Sequence, residues 1–180
     1  TKALHLTAVV FHESRCGSTL VSNALVAMNP TKHRVYSESA PPIDALRTIC
    51  GETYHSCTPK VASRILQQVV YAMSRTNDLR EERVFFKIQS VGTRNIEVFQ
   101  LAFPKVPFLF VYRDPVQVLM SQLSGVPGGT KNANCVRPRA RPPASVVDLC
   151  QRKGIKKISD LSNEEYCAAH LVRMNVLSCF

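Results

Sequence analysis

The stretch FHESRCGSTLVSNAL, from Phe11 to Leu25, decides how the chain is expected to fold. It continues an apolar run that begins at Leu4 and is typical of a buried strand. A short polar turn follows, and from Gly17 the pattern is that of a helix ending near Met28, with one apolar face formed by Leu20, Val21, Leu25 and Met28. A strand, a glycine-containing turn and a helix N-terminus favour an anion, because the free N–H groups and the helix dipole both attract negative charge.

The rest of the sequence alternates between strands and helices. The strands are apolar throughout, which is typical of a parallel sheet covered on both faces. We therefore expect an α/β fold, a three-layer α/β/α arrangement around a central, mostly parallel sheet. Beyond the first strand and helix, strands are predicted at 33–39, 83–90 and 106–112, and helices at 41–50, 59–75, 95–103 and 114–123.

The first turn has the chemistry of a phosphate site. Arg15 offers a cation with a planar donor fork, and the hydroxyls of Ser18 and Thr19 add donors. The turn is not a Walker A sequence, because its lysine is missing and no acidic residue is placed to hold Mg²⁺. The alternative is that Ser14 merely caps the helix and the arginine is incidental.

A second polar cluster lies in FVYRDPVQVLMSQL, residues 110–123. Arg113 follows an apolar strand, and Ser121 comes eight residues later, about two turns along the next helix. A guanidinium and a hydroxyl on one side can clamp a second phosphate. The alternative is a surface turn formed by Arg113 and Asp114, with Ser121 simply exposed.

Together, SRCGSTL (14–20) and VYRDPVQVLMS (111–121) resemble the two nucleotide motifs of the sulfotransferase family. The resemblance covers roughly Leu4 to Leu123. It implies a P-loop NTPase-like fold, 3′-phosphoadenosine 5′-phosphosulfate as co-substrate, and no metal. It also implies two sets of contacts: the 5′-phosphosulfate with Arg15, Cys16, Gly17, Ser18 and Thr19, and the 3′-phosphate with Arg113 and Ser121.

Sulfuryl transfer needs a group that stabilises the leaving oxygen and a base that takes the acceptor's proton. Arg15 is expected to fill the first role. Glu38, at the end of a predicted strand, is expected to be the base, although an exposed loop acid is the alternative. Lys87 stands where many relatives place a lysine that assists the leaving group. Gln89 occupies the position of the catalytic histidine of cytosolic members and cannot act as a base, whereas His12 is more simply explained as structural.

The net charge of +10 is concentrated near the C-terminal end. Eight Lys or Arg and one Asp lie between residues 131 and 157, and residues 125–143 are predicted to form a basic, proline-containing loop. We interpret this stretch as a solvated loop or a mobile flap that attracts an anionic ligand. Nucleic acid is not the expected partner, because no aromatic residues interleave with the basic ones.

Seven cysteines are present, with no Cys-x-x-Cys pair to suggest a zinc site. Free thiols in a reducing compartment are the favoured interpretation, with one or two disulfides as the alternative. A cytoplasmic location is therefore expected, or the Golgi lumen if an N-terminal segment is missing. No run of about 18 apolar residues occurs, so no transmembrane segment is predicted.

The sequence thus predicts a single sulfotransferase-like domain over residues 1–180 that lacks the family's C-terminal glycine-rich segment and is expected to be a fragment. Its expected reaction is metal-free transfer to a hydroxyl or amine of a small-molecule or glycan acceptor, which residues 51–59 and 125–143 would help to bind. Two alternatives remain: a P-loop kinase or nucleotide-binding protein, and a non-catalytic basic module that binds polyanions.

Overall fold

A computed structural model describes residues 1–51, 56–124, 127 and 129–175. The structure is mixed α/β, as predicted, and divides into two compact units. The first, called the sheet unit, comprises Thr1–His12 and Gly17–Val111. The second, called the helical unit, comprises Glu13–Cys16 and Tyr112–Phe180. Parts of the two predicted acceptor loops, 52–55 and 125, 126 and 128, lie outside the described residues.

The sheet unit contains the strands and helices that the apolar pattern predicted. Most observed elements are slightly shorter than predicted at their ends. A two-residue antiparallel pair, β1 with β4, was not predicted. The strands are β1 Lys2–Ala3, β2 His5–His12, β3 His33–Ser37, β4 Arg75–Thr76, β5 Arg83–Lys87 and β6 Phe108–Val111. The helices are α1 Ser18–Met28, α2 Pro41–Cys50, α3 Pro59–Met73 and α4 Ile96–Ala102, with a 3₁₀ helix at Ser90–Asn95.

Four of these strands form a parallel sheet in the order β3–β5–β2–β6. Lys87 lies opposite Val10 on one side and Ser37 on the other, and His12 lies opposite Val111. The strands therefore end close together at one edge of the sheet. The parallel sheet inferred from the continuously apolar strands is confirmed.

The apolar core of the sheet unit lies between the sheet and helices α2, α3 and α4. It includes Phe11 and Phe86 from the strands together with buried residues from all three helices, among them Leu46, Leu66 and Phe99. Burial of this continuous apolar surface is the main stabilising contribution to such a unit.

Helix α1 forms where predicted, but its expected apolar face is only partly buried: Val21 and Leu25 are half-buried. Leu20 and Met28, predicted to face inward with Val21 and Leu25, are 75% and 73% exposed. The buried residues of α1 are Ser18 and Ser22, which lie one turn apart. The inward side of α1 is therefore formed by two serines with Val21 and Leu25, and not by Leu20 or Met28.

In its described residues, the helical unit is built from three helices and three short 3₁₀ turns around two small apolar clusters. The third helix starts with a reciprocal cap, in which Ser162 N–H donates to the Glu165 carboxylate and Glu165 N–H donates to the Ser162 hydroxyl. The helices are α5 Pro115–Leu123, α6 Ala144–Arg152 and α7 Asn163–Asn175, and the 3₁₀ turns are Thr130–Asn132, Arg137–Ala140 and Ile158–Asp160.

Disulfides correct the expectation of free thiols. Cys50 is bonded to Cys57 in the sheet unit, and Cys135 is bonded to Cys167 in the helical unit. Cys16 and Cys150 are free, and Cys179 lies outside the described residues. Irregular spacing in the sequence conceals such pairs because disulfide partners are brought together by the fold.

The basic stretch continues beyond the predicted loop of residues 125–143 into a helix. Its described part contains two 3₁₀ turns, the Cys135 disulfide and helix α6, which was not predicted. The proline-rich segment makes only a short 3₁₀ turn at Arg137–Ala140, consistent with the expectation that it forms no regular helix. As to membranes, no helix within the described residues combines the length and apolarity needed to cross a bilayer.

Candidate functional site

The first turn leaves the start of α1 open. Gly17 is the N-cap residue, with φ of 88°, and no side chain caps the helix. This left-handed conformation suits glycine, because other residues are strained there. The alternative that Ser14 caps the helix is wrong: the Ser14 hydroxyl instead accepts a hydrogen bond from Gln122 Nε2 at 3.0 Å. The N-terminus of α1 therefore keeps backbone N–H groups for another acceptor.

The Arg15 side chain reaches the second predicted motif. Within the helical unit, Arg15 Nε donates to Ser121 Oγ and Nη2 donates to the Ser121 carbonyl oxygen, both at 3.1 Å. The two residues are 106 positions apart in the chain. The structure thus brings together one residue from each of the two predicted anion motifs.

The side chain of Arg113 contacts the face of α5 that also carries Ser121. Its Nε donates to Gln117 Oε1 at 2.8 Å, and Asp114 caps α5 by accepting from Gln117 N–H at 3.0 Å. Gln117 and Ser121 are four residues apart and share one helix face. The guanidinium groups of Arg113 and Arg15 therefore contact residues on successive turns of α5, about 6 Å apart along the helix axis.

A separate polar cluster, formed by Lys87, Glu38 and His12, lies at the carboxyl ends of the parallel strands in the sheet unit. The Lys87 side chain is only 1% exposed, and its ammonium donates to Glu38 Oε1. His12 Nε2 lies 3.4 Å from the same carboxylate oxygen. Because a buried ammonium is stable only with a partner, Glu38 is what allows Lys87 to occupy this position. The Glu38 side chain remains 47% exposed, so its carboxylate faces both Lys87 and solvent.

Glu38 is held in a strained backbone conformation. Its φ is 58°, its N–H donates to the Lys87 carbonyl at 2.8 Å, and its own carbonyl accepts from Gln89 Nε2 at 3.2 Å. Within the described ranges, Arg15, with φ of 64°, is the only other non-glycine residue with positive φ. Such strain persists where the surroundings enforce it, and it concentrates at functional sites. Both strained residues were predicted site residues.

The sequence did not indicate that Glu13 is buried. This acid follows β2 directly and is 8% exposed. Burial raises the pKa of Glu13, and a hydrogen bond from the Arg113 backbone N–H partly opposes that rise. An acid between a strand and a turn has the pattern of an exposed turn residue, so no sequence signal could have found it.

Gln89 and Gln117 were also missed as supporting residues. Gln89 was considered only as a residue that cannot act as a base, yet its amide holds the Glu38 backbone. Gln117 is the contact of the Arg113 guanidinium. A glutamine in a helix or loop carries no specific signal, because its role depends on which backbone or cation lies within reach.

The remaining predicted contacts of the first turn differ in accessibility. Thr19 and Gly17 are exposed, Cys16 is half-buried and Ser18 is buried. Among the described residues, no group of three or more His, Cys, Asp or Glu is arranged to hold a metal ion. In the sheet unit, the exposed start of α1 therefore offers an anion backbone N–H groups and the Thr19 hydroxyl, and in the helical unit Arg15 offers its exposed guanidinium.

Comparisons with known proteins give no family assignment. No protein-family model matches the chain, and no curated protein matches it.

Proposed function

We propose that this chain is a sulfotransferase that uses 3′-phosphoadenosine 5′-phosphosulfate. The observation that carries the proposal is the contact of Arg15 with Ser121, since each residue belongs to a different predicted phosphate motif. A single nucleotide with phosphates at both ends can be bound by both motifs only if they lie within its length, and the contact of Arg15 with Ser121 supports that arrangement.

The strand order of the sheet unit supports a three-layer, P-loop NTPase-like arrangement. The chain leaves β2 through α1 to reach β3, then returns through α2 and α3 to β5 and continues through α4 to β6. Parallel crossovers are right-handed, so α1 belongs on the face opposite α2, α3 and α4. Ligands of such sheets bind where crossovers leave in opposite directions, which here is at the carboxyl ends of β2 and β5.

In this proposal the nucleotide is bound at both ends by the predicted residues. The backbone and hydroxyls of Gly17, Ser18 and Thr19, with Cys16 and Arg15, hold the 5′-phosphosulfate. Arg113 and Ser121 hold the 3′-phosphate. The open N-terminus of α1 and the exposed guanidinium of Arg113 support these roles.

The transfer is an in-line displacement at sulfur. The acceptor oxygen forms a bond to sulfur while the bond from sulfur to the 5′-phosphate oxygen breaks, and the nucleotide leaves as the 3′,5′-bisphosphate. Arg15 stabilises the negative charge that develops on the leaving oxygen. The acceptor's proton passes to the half-exposed carboxylate of Glu38, which Lys87 and His12 position. No step requires a metal.

The two disulfides support an oxidising compartment for this enzyme. Stable disulfides are rare in the cytosol, where thiols are kept reduced. Cys50–Cys57 and Cys135–Cys167 therefore favour the lumenal alternative, such as the Golgi, over the cytoplasmic location expected from the sequence.

Nucleotide titration tests the proposal. We expect 3′-phosphoadenosine 5′-phosphate to bind equally well with and without Mg²⁺, and more tightly than ATP. Preference for Mg·ATP would instead support a kinase or nucleotide hydrolase. Absence of binding to either nucleotide would reject both enzyme classes.

The 3′-phosphate role of Arg113 can be tested separately. We expect Arg113→Ala to weaken binding of the bisphosphate much more than binding of adenosine 5′-phosphosulfate, which lacks the 3′-phosphate. Gln117→Ala is a matched control, since it removes the side chain that Arg113 contacts but keeps the cation. Equal losses for the two ligands in Arg113→Ala would contradict the assignment.

A further inference from the structure

Six exposed cations of the helical unit form what we call the basic surface. Within the described part of the chain, no acidic side chain pairs with any of them. The other two cations of the stretch are engaged: Arg152 pairs with Asp148, and Arg139 is bound to backbone oxygens. The members of the basic surface are Lys131, Arg137, Arg141, Lys153, Lys156 and Lys157.

Arg139 joins the two segments that carry these cations. Its Nη2 donates to the carbonyl oxygens of Ile158, Ser159 and Leu161, with the Ser159 contact at 3.0 Å. Its Nη1 donates to Asn163 Oδ1 at 3.0 Å, and its guanidinium lies 5.8 Å from the centre of the Tyr166 ring. Arg139 therefore holds the segment around residue 139 against the start of the 158–163 segment.

This clamp concentrates charge locally. Arg137 and Arg141 each lie two residues from Arg139, and Lys156 and Lys157 directly precede the carbonyl groups that Arg139 contacts. Since two residues of chain span at most about 7 Å, both pairs of cations start close to the same clamp. Cations from two separate parts of the sequence are thus brought near each other by the partly buried contacts of Arg139.

The basic surface is attached to a fixed support. The Cys135–Cys167 disulfide ties the first segment to α7, and Ile155 packs beside Val146 and Tyr166 in the small core under the second segment. The cations project from a turn whose backbone is already ordered. Binding an anionic chain there loses less conformational entropy than ordering a free flap would.

We infer that the basic surface binds a linear anionic polysaccharide, one that carries carboxylate or sulfate groups at regular intervals. Repeated anions match repeated exposed cations, and long-range attraction increases the association rate. Single-stranded nucleic acid fits less well, because no aromatic side chain interleaves with these cations as a stacking platform. The two disulfides also favour an anionic glycan as the ligand. Disulfides persist in oxidising compartments, where anionic glycans rather than nucleic acids are present.

The inference deepens the proposed function by naming the acceptor class, and to that extent it rests on that function. Binding of the polysaccharide to the basic surface does not depend on the proposed function. A protein that binds the polysaccharide but not the bisphosphate nucleotide would disprove the sulfotransferase proposal and leave the basic surface intact.

The test measures binding of heparin, a sulfated polysaccharide, to the full chain over a range of salt concentrations. Lys153→Glu, Lys156→Glu and Lys157→Glu together should weaken heparin binding at least tenfold and reduce the salt dependence. The control triple Lys60→Glu, Arg64→Glu and Lys105→Glu changes the net charge equally on exposed residues of the sheet unit. It should change heparin affinity much less, and circular dichroism should show both triples folded.

Three outcomes would overturn the inference. One is equal weakening by the two triples, which would mean that heparin responds only to net charge. Another is tighter binding of polyuridylate than of heparin at the same salt concentration, which would indicate nucleic acid as the ligand. The last is no heparin binding by the unaltered chain at physiological salt.

Discussion

The sheet unit and the helical unit are held together in different ways. The sheet unit has a continuous apolar core between a parallel sheet and three helices, and its disulfide links cysteines only seven residues apart. The helical unit has two small apolar clusters, and its disulfide links cysteines 32 residues apart. Because small cores contribute little stability, the helical unit depends more on its covalent bond and on polar contacts.

Each unit contains an arginine that binds backbone carbonyls, but the other contacts of the two arginines differ. Arg34 of the sheet unit contacts the Arg75 carbonyl at 2.9 Å and also pairs with the carboxylate of Glu81. Arg139 of the helical unit has carbonyls, an amide and an aromatic ring as its contacts. In the sheet unit, the contacts of Arg34 add to the stability that a continuous apolar core already provides. In the helical unit, where the apolar clusters are small, the contacts of Arg139 provide part of the stability that a larger core would give.

The largest expected effect concerns the two disulfides. Replacing Cys135 and Cys167 by serine should lower the free energy of unfolding of the helical unit by about 3.7 kcal/mol, from the entropy of a 32-residue loop. The corresponding change at Cys50 and Cys57 closes a smaller loop and should lower stability by about 2.4 kcal/mol. Denaturant unfolding of the two double variants measures both.

Hydrogen exchange then shows where protection is lost. In the Cys135→Ser, Cys167→Ser variant, amides of α6 and α7 should exchange faster while those of β2 and β5 keep their protection. Uniform loss of protection through both units would contradict the difference drawn between them.

The buried ion pair of the sheet unit should give the next largest effect. Glu38→Gln leaves the Lys87 ammonium buried without its carboxylate, and we expect a loss of about 2 kcal/mol, reduced by the partial exposure of Glu38. Lys87→Met removes the charge together with its need for a partner and should be less destabilising. Thermal unfolding compares the two.

The same variant tests catalysis. With an acceptor found by screening with labelled donor, Glu38→Gln should lower turnover with little change in affinity for the donor nucleotide. Unchanged turnover in a folded variant would exclude Glu38 as the base.

Removal of the Arg139 clamp should have a smaller effect that is confined to the helical unit. Arg139→Lys keeps the charge but cannot reach several carbonyls with one planar group, and a loss of about 1–2 kcal/mol is expected. Heparin affinity should fall as well, since the two basic segments are no longer held together. Destabilisation equal to that of Arg137→Lys, an exposed control, would rule out the clamp.

The smallest expected effect is a pH dependence at Glu13. Burial raises the pKa of Glu13 above its ordinary value of 4.5, so the folded state favours the protonated acid. Its contribution to stability is complete below pH 4.5 and is lost as the pH rises through the folded-state pKa. Glu13→Gln should therefore raise the melting temperature relative to the unaltered chain at pH 7 but not at pH 4. An equal shift at both pH values would contradict this.

Sequence reasoning succeeded where the signal is local. The apolar strands, Pro41 at the start of α2 and Gly17 in the first turn specify their own conformations, and each element formed near its predicted position. It was only partly right for α1, where Val21 and Leu25 are half-buried but Leu20 and Met28 are exposed. Hydrophobic periodicity reports which residues are able to pack, and which of them do depends on the neighbouring elements of the fold.

The sequence by itself determined the four strands of the parallel sheet and helices α1 to α5, because apolar periodicity, proline and glycine act over a few residues. Only the tertiary structure decided that Lys87 is buried against Glu38, 49 residues away, and that Cys135 is bonded to Cys167. It also decided that Arg15 rests on Ser121. The physical reason is that ion pairs, disulfides and hydrogen bonds act only over a few ångströms, and which distant residues come that close depends on how the whole chain packs.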